Sequence, residues 1–154
     1  MNEFCIDTNS DQIIATALKC LEERLSYKTQ EQFNSSRLVC DYLRLQLASE
    51  KNEVFAVLFM DNYRRLLSFE KMFTGTVNEA VVFPRGIIQK ALEYNAAAII
   101  VAHNHPSGIV KPSDADQRIT SELKKILEII NVKMLDHIVV TLTDTYSFAE
   151  HGLL

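Results

Sequence analysis

The sequence predicts a mixed α/β fold in which helices cover a β-sheet. Apolar residues recur at three- and four-residue spacing in several separate segments, which is helical periodicity. Two nearly continuous apolar runs, 53–60 and 96–102, instead have the length of buried strands. Strand and helix patterns alternate along the chain, the order expected of a sheet sandwiched between helices. With 154 residues, 47% of them hydrophobic, the chain can bury one ordinary core. We divide it into an N-terminal helical extension, residues 1–33, and a single domain over residues 34–154.

From Asp11 to Leu25, the positions Ile13, Ile14, Ala17, Leu18 and Leu21 predict a first helix. Leu38, Val39, Tyr42, Leu43 and Leu45 predict a second over Ser35–Leu47, with Asn34 or Ser35 as its N-cap. Glu53 to Met60 follows as a largely buried strand, Asp61-Asn62 as a turn, and Leu66 to Phe73 as a strand paired back on it, the hairpin closed by Gly75. Val81-Val82-Phe83 reads as a short strand ended by Pro84, and Ile87, Ile88, Ala91 and Leu92 as a helix reaching Tyr94. Ala96 to Ala102 reads as a central strand with His103 at its end. Pro106 to Pro112 is loop, and Ser113 to Asp116 opens a helix carrying Ile119, Leu123, Ile126, Leu127 and Ile130. Strands over Val132–Thr143 and Tyr146–Ala149 complete the sheet.

Sixteen Lys and Arg against twenty Asp and Glu give a net charge of −4, which argues against a general phosphate-binding surface. Arg64-Arg65 reads as a solvated turn. The longest apolar run falls far short of the ~20 residues that cross a bilayer, and the acidic start lacks a leader pattern. These features lead us to expect a soluble, cytoplasmic protein. Cys5, Cys20 and Cys40 lack metal-type spacing and read as buried or half-buried thiols, which suits a reducing compartment.

His103-Asn104-His105-Pro106, with Asp116 eleven positions beyond His105, carries the chemistry. An extended His-x-His projects both rings to one side of the chain, where two nitrogens can reach one ion, and Asn104 points the other way. Asp116 supplies a third ligand. Three protein ligands with an open fourth position is the arrangement of a catalytic zinc, which lowers the pKa of a water to ~7. Ser113-x-x-Asp116 also resembles a capping box, a role compatible with ligation because the carboxylate faces out of the helix start. A hydrolase further needs a proton carrier, and Glu53, Glu70, Glu79 and Glu93 are the candidates.

At these residues the chain strongly resembles the JAMM (MPN-plus) metalloprotease family, whose pattern is an upstream Glu, His-x-His-Pro and Ser-x-x-Asp. The fuller form, His103-Asn104-His105-Pro106-Ser107-Gly108 with Pro112-Ser113-x-Ala115-Asp116, is similar to the RadC-like branch. So are Phe73-Thr74-Gly75-Thr76, Asn95-Ala96-Ala97-Ala98, Asp136-His137 and the ending Ser147 to Leu154. The match runs from about Ser35 to the C-terminus. It implies a JAMM/MPN-like, cytidine-deaminase-like central mixed sheet flanked by helices, with two extra N-terminal helices. It also implies one zinc held by His103, His105 and Asp116, Glu53 as the general base, Ser113 steadying an oxyanion, and a peptide or protein substrate.

The chain departs from the family where RadC-like sequences follow Pro-Arg with Glu, because here Gly86 follows Pro84-Arg85. Longer RadC-like proteins carry a glycine-dependent helix-hairpin-helix module, whereas the first glycine here is Gly75. The N-terminal helices are therefore expected to pack on the domain or on a second copy of it, as in a homodimer. The leading expectation is a zinc-dependent hydrolase of amide or isopeptide bonds. Against it stand a metal-dependent nuclease or DNA-repair-associated protein, and a silent metal-binding interaction module. His137 reads as a core histidine or as a residue that orients a ligand, and His151 as a surface residue. Specificity is expected from the loops 108–111 and 77–80.

Overall fold

The structure is a computed structural model that describes residues 8–26, 35–75 and 81–154. In chain order the elements are α1 (Thr8–Ser26), α2 (Ser36–Leu47), β1 (Val54–Met60), β2 (Leu66–Thr74), α3 (Pro84–Glu93), β3 (Ala98–Asn104), α4 (Asp114–Ile129), β4 (Lys133–Val140) and β5 (Thr145–Ser147). The strands form one mixed sheet in the order β2-β1-β3-β4-β5. β1 lies antiparallel to both β2 and β3, β3 and β4 run parallel, and β5 returns antiparallel on β4.

β1 and β3 are buried along their whole length, because helices cover both faces of the sheet at its centre. On one face Val54, Leu58, Met60, Ala102 and Val140 pack with Tyr42, Leu43 and Leu47 of α2. On the other, Phe55, Phe59, Ile99 and Val101 pack with Ile87 of α3 and Leu123 and Leu127 of α4. α1 lies outside α2. It places Leu18 and Leu21 against the first core cluster and leaves Ile13 62% exposed. The Tyr42 hydroxyl donates to Glu22 at 2.9 Å and ties the two helices together.

The α/β architecture matches the expectation, and several boundaries move. Val81–Phe83 is not a strand. It is extended at Phe83, but it reaches no sheet partner among the described residues, and the Phe83 ring packs edge-on to Phe73 instead. β3 starts two residues later than expected and takes in His103 and Asn104. β4 ends at Val140, where Thr141 and Asp144 close a turn with a 2.8 Å backbone bond. Ser35 is the N-cap of α2 without a side-chain cap bond. Cys20 is exposed rather than covered, Cys40 is half-buried, and Cys5, Asn34 and the 77–80 loop lie outside the described residues. Among the described residues, no helix is long and apolar enough to cross a membrane.

Gly86 sits in the first turn of α3, where a Cβ would stand 3.5 Å from Phe73 and 3.6 Å from Met72, which is ordinary contact. Nothing in its backbone requires glycine, so Gly86→Ala should reduce the entropy of the unfolded chain without a clash. The expected gain is about 0.5–1 kcal/mol, read as a rise in melting temperature. A fall would mean that Phe73 and Met72 cannot yield even to a methyl group.

Candidate metal centre

The centre is assembled by strand register. Phe55 of β1 stands opposite His103 of β3, and alternation of side chains puts residues two apart on the same face. Just past the end of this pairing, Glu53 and His105 line the same cleft. Glu53, Phe55, His103 and His105 thus share the face covered by α3 and α4, while Asn104 turns to the other. The junction is pinned by backbone as well, since the His105 N–H donates to Val140 O at 2.8 Å.

Beyond His105 the chain turns through Gly108, whose φ of 81° lies in the left-handed region open to glycine. It then arrives at Ser113, the N-cap of α4. The Ser113 oxygen accepts from the Asp116 N–H at 3.1 Å, and Asp116 Oδ2 accepts from the Ser113 N–H at 2.7 Å, a complete capping box. The Ser113 hydroxyl also donates to Asp116 Oδ2 at 2.7 Å. Oδ1 remains turned toward His103.

Two imidazole nitrogens and the Asp116 carboxylate then converge. His103 Nε2 lies 2.9 Å from His105 Nε2 and 3.1 Å from Asp116 Oδ1, and His105 Nε2 lies 3.5 Å from Asp116 Oδ2. A tetrahedral ion with ligands at ~2.0–2.1 Å spaces those ligands about 3.3 Å apart, so the donor set fits one metal ion. It is the one such His/Cys/Asp/Glu group found among the described residues. His105 Nδ1 lies 2.7 Å from Ile109 O, and since a carbonyl cannot donate, the proton sits on Nδ1 and the Nε2 lone pair faces the group. Glu53, only 9% exposed, lines the same cleft as His105, Ser113 and Asp116.

Residues 33–153 match the RadC-like JAB domain family. The chain belongs to that family. It is 50% identical over 142 residues to a UPF0758 protein of Methylibium petroleiphilum, covering 92% of this chain and 63% of that protein. A UPF0758 protein of Idiomarina loihiensis is 52% identical over 79% of this chain and 54% of its own length. The UPF0758 protein YkfG of Escherichia coli is 43% identical over 93% of this chain and 90% of its own length. The chain therefore spans little more than half the length of the first two relatives.

In this RadC-like domain, the cluster's charges balance each other. Burial disfavours the Asp116 carboxylate, but hydrogen bonds from His103 and His105 outweigh it and hold the group well below the usual carboxylate range. The hydrogen bond with Asp116 in turn raises His105 above its ordinary 6.5 against the opposing effect of burial. His137, fully buried, is pushed well below the imidazole range by desolvation and then by the charge of His103.

Asn104 and Thr120 were not legible as contributors in the sequence, and His137 was left open between a core histidine and a residue that orients a ligand. Asn104, 2% exposed, accepts from the Val54 N–H at 2.7 Å and donates to Asn52 O at 3.0 Å, clamping the segment that carries Glu53. Thr120 and His137 form a buried chain behind His103. The position of Thr120 marks a core site and nothing more. Of the other glutamates, Glu70 accepts from the Tyr94 hydroxyl, Glu93 pairs with Lys90 at 3.1 Å, and Glu79 lies outside the described residues. His151 is exposed and stacks on Tyr146.

Two outcomes are expected. Asn104→Ala strands the buried Val54 N–H and should cost about 1–3 kcal/mol in denaturant unfolding; unchanged stability would mean that water replaces the amide. For metal-free protein, the raised His105 contributes stability that is present below pH 6.5 and lost as the pH rises through its folded value. Asp116, depressed from 3.8, contributes at all but strongly acidic pH. Melting temperatures in chelator should therefore decline above pH 6.5, and a flat profile would contradict the paired cluster.

Proposed function

We propose that this RadC-like domain is a zinc-dependent hydrolase of amide or isopeptide bonds. The observation that carries the reading is the convergence of two imidazole nitrogens and a carboxylate oxygen beside buried Glu53, on the wall of an open cleft of about 640 Å³. A zinc ion bound by His103, His105 and Asp116 supplies Lewis acidity to a substrate carbonyl and acidity to a water.

The side chains do the rest. Glu53, on the same sheet face as His105, takes a proton from the attacking water and passes it to the leaving nitrogen, so that the C–N bond breaks as a C–O bond forms. Ser113 orients Asp116 in the resting site. Its hydroxyl, which also lines the cleft, meets the oxyanion by turning its proton from Asp116 Oδ2 to the substrate oxygen. Phe55, Val82, Ile109 and Ile119 give the cleft apolar walls, with Lys111 the one Lys or Arg that lines it among the described residues. That lining suits an extended peptide with apolar side chains near the reacting amide, and the net charge of −4 does not favour a polyanion.

Protein purified without chelator should hold about one zinc per chain, retained in Glu53→Gln and lost in the His103→Ala, His105→Ala double variant. Cleavage of a peptide library by zinc-loaded protein should fall about 10²–10⁴-fold in Glu53→Gln. A metal-free wild type sinks the proposal. Tight peptide binding without cleavage would instead indicate an interaction module, and cleavage of DNA a nuclease.

A further inference from the structure

We infer that His137 and Thr120 are positioning residues that lock the proton of His103 on Nδ1 and so present its Nε2 lone pair to the metal. This rests on the metal-site reading above and extends it to two residues that touch neither ion nor substrate.

The protons are fixed one after another from α4 to the cluster. Thr120 Oγ1 stands 2.5 Å from the Asp116 carbonyl oxygen. Two oxygens that close need a proton between them, and the hydroxyl is the sole donor of the two. Having spent its proton there, the same Oγ1 can only accept from His137 Nδ1, 2.6 Å away. His137 therefore carries its proton on Nδ1. Its ring is fully buried, stacked on Phe148 at 4.6 Å and met edge-on by Phe55 at 5.7 Å, surroundings that favour the neutral form with a bare Nε2. That bare Nε2 lies 2.8 Å from His103 Nδ1, so His103 must donate from Nδ1. Its other nitrogen, Nε2, faces His105 and Asp116, and in the neutral ring it is the one that carries the lone pair.

The relay begins on the helix turn that carries Asp116 and ends on the strand that carries His103. It therefore sets the tautomer of one ligand from the backbone position of another. His105 has its own, separate lock through Ile109 O. Residues that hold a ligating imidazole in this way typically contribute 10–100-fold to metal affinity.

Two measurements test it. Imidazole nitrogen spectra of isotope-labelled, chelator-stripped wild type at alkaline pH should show His103 and His137 both protonated on Nδ1. Zinc affinity, read by competition with a chromophoric chelator, should fall about 10–100-fold in Thr120→Val, which keeps the shape and removes the hydroxyl, and return in Thr120→Ser. A role in packing alone would lower the melting temperature of metal-free Thr120→Val and leave its affinity intact. Either that intact affinity or a His103 proton on Nε2 in wild type overturns the inference. If the wild type takes up no zinc at all, the hydrolase reading falls and the imidazole spectra alone decide the relay.

Discussion

The pairing of β1 with β3 is the constraint on which the site depends. Phe55 opposite His103 brings Glu53 to His105 although the two lie far apart in sequence. Because side chains alternate, a slip of one residue would carry Glu53 through the sheet to the face covered by α2. Burial resists the slip, since every residue of β1 and β3 has an apolar environment to leave. Asn104 adds a lock of its own. At the point where the β1–β3 ladder ends, its side chain takes the Val54 N–H and the Asn52 carbonyl, doing with an amide what the next pair of backbone groups would otherwise do. The residue between the two histidines thus holds the strand that brings the glutamate.

A second phase adjustment lies in β4. Between the Ile99–Met134 and Ile100–Asp136 pairs the ladder skips Leu135, a bulge in a parallel pair. Met134 packs on the α3/α4 side and Leu135 on the α2 side. Simple alternation would then send Asp136 toward the metal centre and His137 away from it. The extra residue reverses this. Asp136 becomes the acceptor that gathers the His137 and Ala149 N–H groups and the Ser147 hydroxyl, while His137 enters the site behind His103. A strand irregularity beside a functional centre here re-aims a specific side chain.

These two features explain what the sequence could and could not reveal. His103, His105 and Asp116 were legible because their relation is local: one strand end, one loop, one helix start. Glu53 was not singled out by its own surroundings, since its relation to His105 exists only through strand register; the family resemblance was needed to choose it among four glutamates. His137 was ambiguous because no pattern in the sequence announces a bulge. Thr120 was invisible because its hydroxyl matters through two partners that come from different elements. Val81–Phe83 had the residues of a strand and, among the described residues, no neighbour to pair with, which composition cannot report. The helices were well drawn throughout, since their periodicity is set by a single face meeting a single core.

Asp116 shows why a capping role and a ligand role need not compete. A carboxylate has two oxygens, and the fold divides them. Oδ2 takes the Ser113 N–H and hydroxyl, which fixes the start of α4, and Oδ1 faces His103 Nε2 at 3.1 Å. The cap therefore orients the ligand, and hydrogen bonds from His103 and His105, with the Ser113 N–H adding to them, keep the group ionised despite burial. The cost falls on the metal-free state, where two imidazoles and an acid crowd together with too few protons to satisfy every lone pair. A cation at that point removes the conflict for all three at once. Because it would bind the folded chain and not the scattered residues of the unfolded one, its affinity becomes folding stability. The same geometry that prepares the site for chemistry thus makes the end of the central strand depend on what occupies it.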